Sequence, residues 1–196
     1  PVPPMSIPST YGFSIVICNC LIQSKDLHNG DGIDPDSTEN MDIFNILFAT
    51  GDDCVAIKSG KNPDGNEINR PSKNIQVFDC KSKMGHGCCI GSEMSGGVKN
   101  ICFFDCDFEK TRYGVQIKTT KKRGGYIKNV FVEDLALPAI NIRTVPYNDD
   151  GKDSGKLAIF RNFYFKNITL SGVDVGNFGD EEIKVNHIEV KGFEEN

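Results

Sequence analysis

Lys73-Asn74-Ile75-Gln76-Val77, Lys99-Asn100-Ile101-Cys102-Phe103 and Lys128-Asn129-Val130-Phe131-Val132 are one pattern written three times. Each opens on a cation and an asparagine and continues with alternating residues, the period of a half-buried strand. Phe13-Ser14-Ile15-Val16-Ile17 and Arg161-Asn162-Phe163-Tyr164-Phe165 repeat it with changes, and the clearest starts lie about 26 to 33 residues apart. No long amphipathic helix pattern separates them, and the connections are rich in glycine and asparagine. Short strands at this period, without helical crossovers, predict an all-β chain wound as a parallel β-solenoid rather than a βαβ sheet; a β-sandwich is the alternative.

A second strand aligns within each coil: Cys54-Val55-Ala56-Ile57-Lys58-Ser59, Gly87-Cys88-Cys89-Ile90-Gly91-Ser92 and Gly114-Val115-Gln116-Ile117-Lys118-Thr119. Stacking Ile57, Ile90 and Ile117 inside turns Val55, Cys88 and Val115 inward as well. Ala56, Cys89 and Gln116 then point outward with Lys58, Gly91 and Lys118. Two residues upstream of the first inward position stand Asp53, His86 and Tyr113, and extending the register backwards places Ile33 under Val55 and Asp31 under Asp53. Adjacent coils of a solenoid sit about 4.8 Å apart, so Asp31, Asp53 and His86 form one ladder. Asp52 joins them only if the backbone kinks, which Gly51 is placed to permit. The turn-rich segment from Ser59 to Ser72 reads as an inserted loop walling a cleft. A second insertion, Val145 to Lys156, either lines the same groove or is solvated.

Composition narrows the field. At 196 residues and 38% hydrophobic content the chain is long enough for a single domain, taken here as residues 1–196. No apolar run approaches the ~18 residues of a membrane span, so no membrane partner is expected. A formal charge of −5 argues against a nucleic-acid partner, whose footprint is normally basic. The eight cysteines lack zinc-finger spacing. Cys80 and Cys106 end two similar segments, which predicts stacked, buried thiols, with one or two disulfides as the alternative. The opening Pro1-Val2-Pro3-Pro4 carries neither methionine nor a signal segment, and a fragment is expected.

Stacked carboxylates repel one another, so a fold that gathers them gains something in return: a metal, a shared proton or a proton-transfer site. Glycosidic cleavage is the leading use, because an acid must protonate the leaving oxygen while a carboxylate activates water. Asp31 and Asp53 would share the water and Asp52 would donate the proton. Each motif alone also reads as an ordinary turn, and His28 and His187 are left as surface or packing residues.

The chain resembles the polygalacturonase family, glycoside hydrolase family 28. The resemblance rests on Asn29-Gly30-Asp31-Gly32-Ile33-Asp34-Pro35-Asp36-Ser37, on Gly51-Asp52-Asp53-Cys54-Val55-Ala56-Ile57-Lys58-Ser59-Gly60, on Pro71-Ser72-Lys73-Asn74-Ile75, and on Gly85-His86-Gly87 followed by Ile90-Gly91-Ser92-Glu93-Met94-Ser95-Gly96-Gly97-Val98. It implies a right-handed parallel β-helix that hydrolyses α-1,4-galacturonosyl bonds of pectin with inversion and no metal or cofactor. It assigns Asp52 as general acid, Asp31 and Asp53 as water-positioning groups, His86 as support for the acid, and Lys118 as a binder of a substrate carboxylate. Asn29, Gln116, Arg112 and Arg123 join it as candidate substrate-binding residues. A monomer acting on a pectic polysaccharide or oligogalacturonide, in a secreted or periplasmic setting, is further implied. The Gly91-to-Val98 stretch and the Gly60-to-Pro71 loop look most like bacterial, often exo-acting members. Members have additional coils on the N-terminal side, which this chain is expected to lack.

Two positions depart from that pattern. Gly30 stands where a threonine is usual, which is expected to loosen the turn. Gln116 stands where an arginine usually grips the galacturonate carboxylate, so another pectic linkage, such as that of rhamnogalacturonan, is an alternative substrate. Two rivals share the fold: a lyase-like β-helix whose acids hold calcium, and a non-catalytic β-solenoid that binds sugars as an adhesin or carbohydrate module.

Overall fold

The computed structural model describes residues 14–171, 178–179 and 187–195. The chain is a right-handed parallel β-helix of about five coils. Its strands are β1 (Ile15–Gln23), β2 (Glu39–Ala49), β3 (Val55–Ile57), β4 (Ser72–Phe78), β5 (Lys81–Ser82), β6 (Cys88–Ile90), β7 (Val98–Asp107), β8 (Val115–Thr119), β9 (Tyr126–Leu137), β10 (Ile140–Thr144), β11 (Ile159–Leu170) and β12 (Ile188–Glu195). One sheet runs β1-β2-β4-β7-β9-β11-β12, with β5 completing the rung of β4, and a second runs β3-β6-β8-β10. Every strand pairing is parallel. Phe13, the first residue of the expected first strand, lies outside the described residues.

The interior follows from the alternation. Met41, Ile75, Ile101, Val130 and Phe163 form one column, and Ile43, Val77, Phe103, Val132 and Phe165 the next. In the second sheet Val55, Cys88, Val115 and Ile140 stack beside Ile57, Ile90, Ile117 and Ile142. All of these are buried. At roughly 1.5–3 kcal/mol for each large apolar side chain taken out of water, such columns are the main favourable contribution to the fold.

Asparagine turns the chain at the start of each long strand. Asn40, Asn74, Asn100, Asn129 and Asn162 all hold φ between 56° and 62°, the left-handed region that asparagine tolerates better than most residues. Their side chains form a ladder along the axis: Asn74 donates to Asn40 at 2.9 Å, Asn100 to Asn74 at 3.0 Å, Asn129 to Asn100 at 3.0 Å and Asn162 to Asn129 at 2.9 Å. A second set of left-handed corners at Asn19, Asn45, Asp79, Asp105, Asp134 and Asn167 bends the strands again further along. Each coil therefore closes without helical connections.

Strands β2 and β10 were not among the sequence repeats. Glu39-Asn40-Met41-Asp42-Ile43 carries the same pattern with an acid in place of the cation, and Glu39 pairs with Lys73 of the next coil at 3.0 Å. The single helix among the described residues, α1 (Asp64–Ile68), occupies the expected insertion between Ser59 and Ser72. The eight cysteines are all free, and six of them are buried. Cys80 and Cys106 donate to the carbonyls of Phe78 and Phe104 at 3.2 Å each, which are equivalent positions of adjacent coils. They behave as small core residues.

Replacing Asn100 by alanine removes two ladder hydrogen bonds and leaves a residue that disfavours φ 58°. At ~1 kcal/mol per bond and ~1–2 kcal/mol for the conformation, the loss is expected to be about 3 kcal/mol. Asn100→Gly, which keeps the conformation available, is expected to lose about 1 kcal/mol less. Urea unfolding of the two variants side by side measures the difference.

Candidate active site

Hydrogen bonding between coils brings the acidic motifs together. Ile33 bridges Val55 in parallel register, Gly32 N donates to Asp53 O at 2.9 Å, and His86 N donates to Asp52 O at 2.8 Å. Thr50 Oγ1 donates to the same Asp52 carbonyl at 2.8 Å. Asp31, Asp53, His86 and Tyr113 thus lie in one column of adjacent coils, as the register requires.

Strict alternation would point Asp53 inward with Val55. The structure breaks the alternation instead: Cys54 and Val55, consecutive residues, both pack in the core. Cys54 Sγ is held 3.5 Å from Thr50 Oγ1 and 3.4 Å from Ser82 Oγ. The break turns the Asp53 carboxylate to the outer face, where Lys118 and His86 meet it. This is the expected kink, but its cause differs from the expected one. Gly51 does not have a positive φ; a Cβ there would come within 2.2 Å of the Leu27 carbonyl oxygen, so glycine is needed for clearance.

Gly30 obeys the same constraint, and the expectation that it loosens the turn is overturned. A Cβ at Gly30 would lie 2.5 Å from the Ser24 carbonyl oxygen. The Gly30 carbonyl in turn accepts from Ser24 Oγ at 2.6 Å, from Gly51 N at 3.1 Å and from Asp52 N at 3.2 Å. The Gly30 carbonyl therefore ties the turn carrying Asp31 to the turn carrying Asp52.

His86 Nδ1 stands 2.7 Å from Asp52 Oδ1 and 3.9 Å from Asp53 Oδ1. The imidazole packs edge-on against Tyr113, with ring centroids 5.0 Å apart. Lys118 Nζ donates to Asp53 Oδ2 at 3.1 Å, reaching across two coils over the buried Cys89. Asp53 Oδ1 is buried and has no hydrogen-bond partner in the protein. An acceptor left open beside Asp52, His86 and Lys118 can take a water O–H.

Burial raises the Asp53 carboxyl, against the pull of Lys118. Burial also lifts Asp31 to about 7, with the Asp34 charge adding to the shift and Lys58 opposing it. Lys58 bridges these two acids, 3.5 Å from Asp31 Oδ2 and 2.5 Å from Asp34 Oδ2. For Lys118 burial acts to lower the ammonium, but the Asp53 carboxylate at 3.1 Å opposes it, and the group stands above its usual range. Lys58 and Asp34 were quoted in the sequence motifs without a role. Their signal was available: Lys58 points to the same face as Lys118.

The expected binding residues divide. Lys118 is in the site, only 8% exposed. Gln116 is also buried, because outward from the solenoid means under the groove wall here; its Oε1 accepts from Arg143 Nη2 at 3.2 Å. Asn29 is exposed beside the Asp31 turn with φ 55°. Arg112 is exposed and lies over the Tyr113 ring, 4.9 Å from its centroid. Arg123 is corrected: it is fully buried and belongs to the scaffold. Its Nε donates to Ser92 O at 3.0 Å, Nη2 to Asn148 O at 2.6 Å, and Nη1 to Asn62 Oδ1. It pins the two insertions together, as do Lys61 to Asp150 at 2.6 Å and Asn62 to Lys152 O at 2.8 Å. Tyr147, on the second insertion, brings its ring within 5.9 Å of Lys118 Nζ.

One ligand atom each from Asp52, Asp53 and His86 lies within 4.8 Å of the others, close enough to share an ion. The donor set fits calcium poorly, since calcium takes about six to eight oxygens. Asp53 already has a counter-charge in Lys118.

Three carboxylates, a histidine and a lysine thus stand together on one wall of a parallel β-helix. The family described as Glycosyl hydrolases family 28 matches residues 3–192, and the chain belongs to it. A probable polygalacturonase of Vitis vinifera is 37% identical over 56% of this chain and 23% of its own length. An exo-poly-alpha-D-galacturonosidase of Dickeya chrysanthemi is 26% identical over 83% of this chain and 30% of its own. Among solved structures, the family 28 exopolygalacturonase of Yersinia enterocolitica aligns with a TM-score of 0.75 at 26% identity, covering 93% of this chain and 36% of that one. The hyperthermoactive exopolygalacturonase of Thermotoga maritima aligns at 0.71 and 28%, covering 90% and 47%. The chain spans 23% to 34% of the length of the curated relatives that lead the comparison.

A carboxyl held above its usual range binds its proton more firmly in the folded chain than in the unfolded one. Asp31's contribution to stability is therefore complete below about 3.8 and is lost as pH rises through about 7. Asp34→Asn removes the negative neighbour and is expected to move the Asp31 midpoint to lower pH, while Lys58→Met moves it higher. Carboxyl-carbon NMR titration of the two variants reads both shifts.

Proposed function

We propose that this chain carries the catalytic site of a hydrolase that cleaves α-1,4-galacturonosyl linkages of pectin by single displacement with inversion. The observation that carries the reading is the division of labour among three neighbouring acids. Asp52 is engaged by His86 at 2.7 Å, whereas Asp53 presents a buried, unpartnered oxygen beside Lys118.

In this reading Asp52 gives its proton to the glycosidic oxygen as the bond to the anomeric carbon breaks, and His86 orients it. Asp31 and Asp53 hold the attacking water on the other face of the sugar ring and take its proton. Raised carboxyls suit that role, because a carboxylate that binds its proton more firmly is the stronger base. The transition state gains positive charge at the ring carbon, which the surrounding carboxylates favour. Lys118 opposes the effect of burial on Asp53 and is placed to meet the carboxylate of a galacturonate unit. Substrate binding at Asn29 and Arg112, both exposed, belongs to the same proposal, with a polymer or oligomer of galacturonate as partner. A polymer too large to cross a membrane puts the reaction outside the cytoplasm, and no helix of the described residues is long and apolar enough to cross one.

Asp52→Asn is expected to lower kcat on oligogalacturonides by roughly 10²–10⁴-fold while leaving oligomer affinity close to that of the parent. Reducing-end release and calorimetric binding measure the two quantities. Products absorbing in the ultraviolet, or activity abolished by a chelator, would replace hydrolysis with calcium-assisted elimination. Affinity that falls with Asp52→Asn, in a parent that never releases reducing ends, would leave a sugar-binding module.

A further inference from the structure

Arg143 is a cation of the groove for which the described residues supply no counter-charge. It lies on β10 in register with Lys118 of β8, so two cationic side chains leave adjacent rungs side by side, about 4.8 Å apart at the backbone. Lys118 is balanced by Asp53 at 3.1 Å. Among the described residues no carboxylate forms an ion pair with Arg143. Its Nη2 donates to Gln116 Oε1, a neutral amide, and its Nε is buried with no hydrogen-bond partner.

That arrangement is unfavourable as it stands. Two like charges in register repel, and the buried Nε of the guanidinium has lost hydration with no hydrogen bond among the described residues in its place. The surroundings show what would offset the cost. Gln116 fixes one edge of the guanidinium plane, and the Tyr147 ring stands 5.9 Å from Lys118 Nζ. A planar donor fork, an ammonium beside it and an aromatic ring near the ammonium are the complement of a sugar ring that bears a carboxylate.

We propose that Arg143 is the specificity-determining residue that recognises the carboxylate of a uronic sugar, from the coil after the one that carries Gln116 and Lys118. The inference rests on the galacturonan-hydrolase reading for the identity of the sugar, but not for the existence of the site. Gln116 then acts as a positioning residue that holds the fork in place. Lys118 cannot do the work alone, since Asp53 already shares its charge.

The test measures binding, which does not need turnover. In the Asp52→Asn background, the affinity for a galacturonate oligomer and for its fully methyl-esterified counterpart is determined by calorimetry, with and without Arg143→Gln or Arg143→Lys. Arg143→Gln is expected to weaken the acid oligomer by about tenfold or more and the ester hardly at all. Arg143→Lys, which keeps the charge but not the fork, is expected to fall between. Equal weakening of both ligands, with no recovery in the lysine variant, makes Arg143 a structural residue and overturns the proposal. So does an Arg143→Gln protein that still prefers acid over ester as the parent does, or a parent with no such preference. If the parent background prefers the acid through Arg143 but the wild-type chain releases no reducing ends, the hydrolase reading fails and this assignment stands. Turnover of galacturonan that is indifferent to Arg143 leaves the reverse.

Discussion

Every coil must land on the previous one in register, and the asparagine ladder imposes that condition. A left-handed residue is needed where the chain turns into each long strand, and asparagine both adopts that conformation and hydrogen-bonds its counterparts above and below. A slip of one residue would break the ladder and expose the apolar columns at the same time. Local conformation and core packing thus select the same register, and the position of every groove residue follows from it.

The groove shows how a fold tolerates acids in close company. Asp31 and Asp34 share Lys58, and Asp53 shares Lys118, so each cluster carries its own cation. Burial still wins over these cations at Asp31 and Asp53, where the protonated form is favoured more than in water. The balance leaves carboxyls that exchange protons readily, which proton-transfer chemistry needs.

Glycine contributes by absence of side chain rather than by flexibility. Gly30 and Gly51 both sit against carbonyls of the Ser24–Leu27 turn, where a Cβ would collide with backbone. Their closeness lets one carbonyl, that of Gly30, hold the turns bearing Asp31 and Asp52 at once. Arg123 plays a comparable part on the other wall, where a buried guanidinium joins three segments that carry few apolar residues to pack. A charged residue that looked suited to substrate is instead the clamp of the groove wall, which places Tyr147.

The sequence by itself determined the winding. Alternating apolar residues repeated at coil length, with asparagine at each turn, allow one register, and that register alone aligns Asp31, Asp53 and His86. It did not reveal β2, where an acid replaced the expected cation, or the role of Lys58, whose partners lie a coil away. Tertiary structure decided which way the acids face. Asp53 turns outward because Cys54 and Val55 both enter the core, a break in alternation that depends on Thr50 and Ser82 receiving the thiol. It also decided which arginine reaches the groove. Arg123 is drawn inside by carbonyls of distant loops, and Arg143 is brought beside Lys118 by the pairing of β8 with β10. Such outcomes rest on contacts between coils, and no local pattern of residues records them.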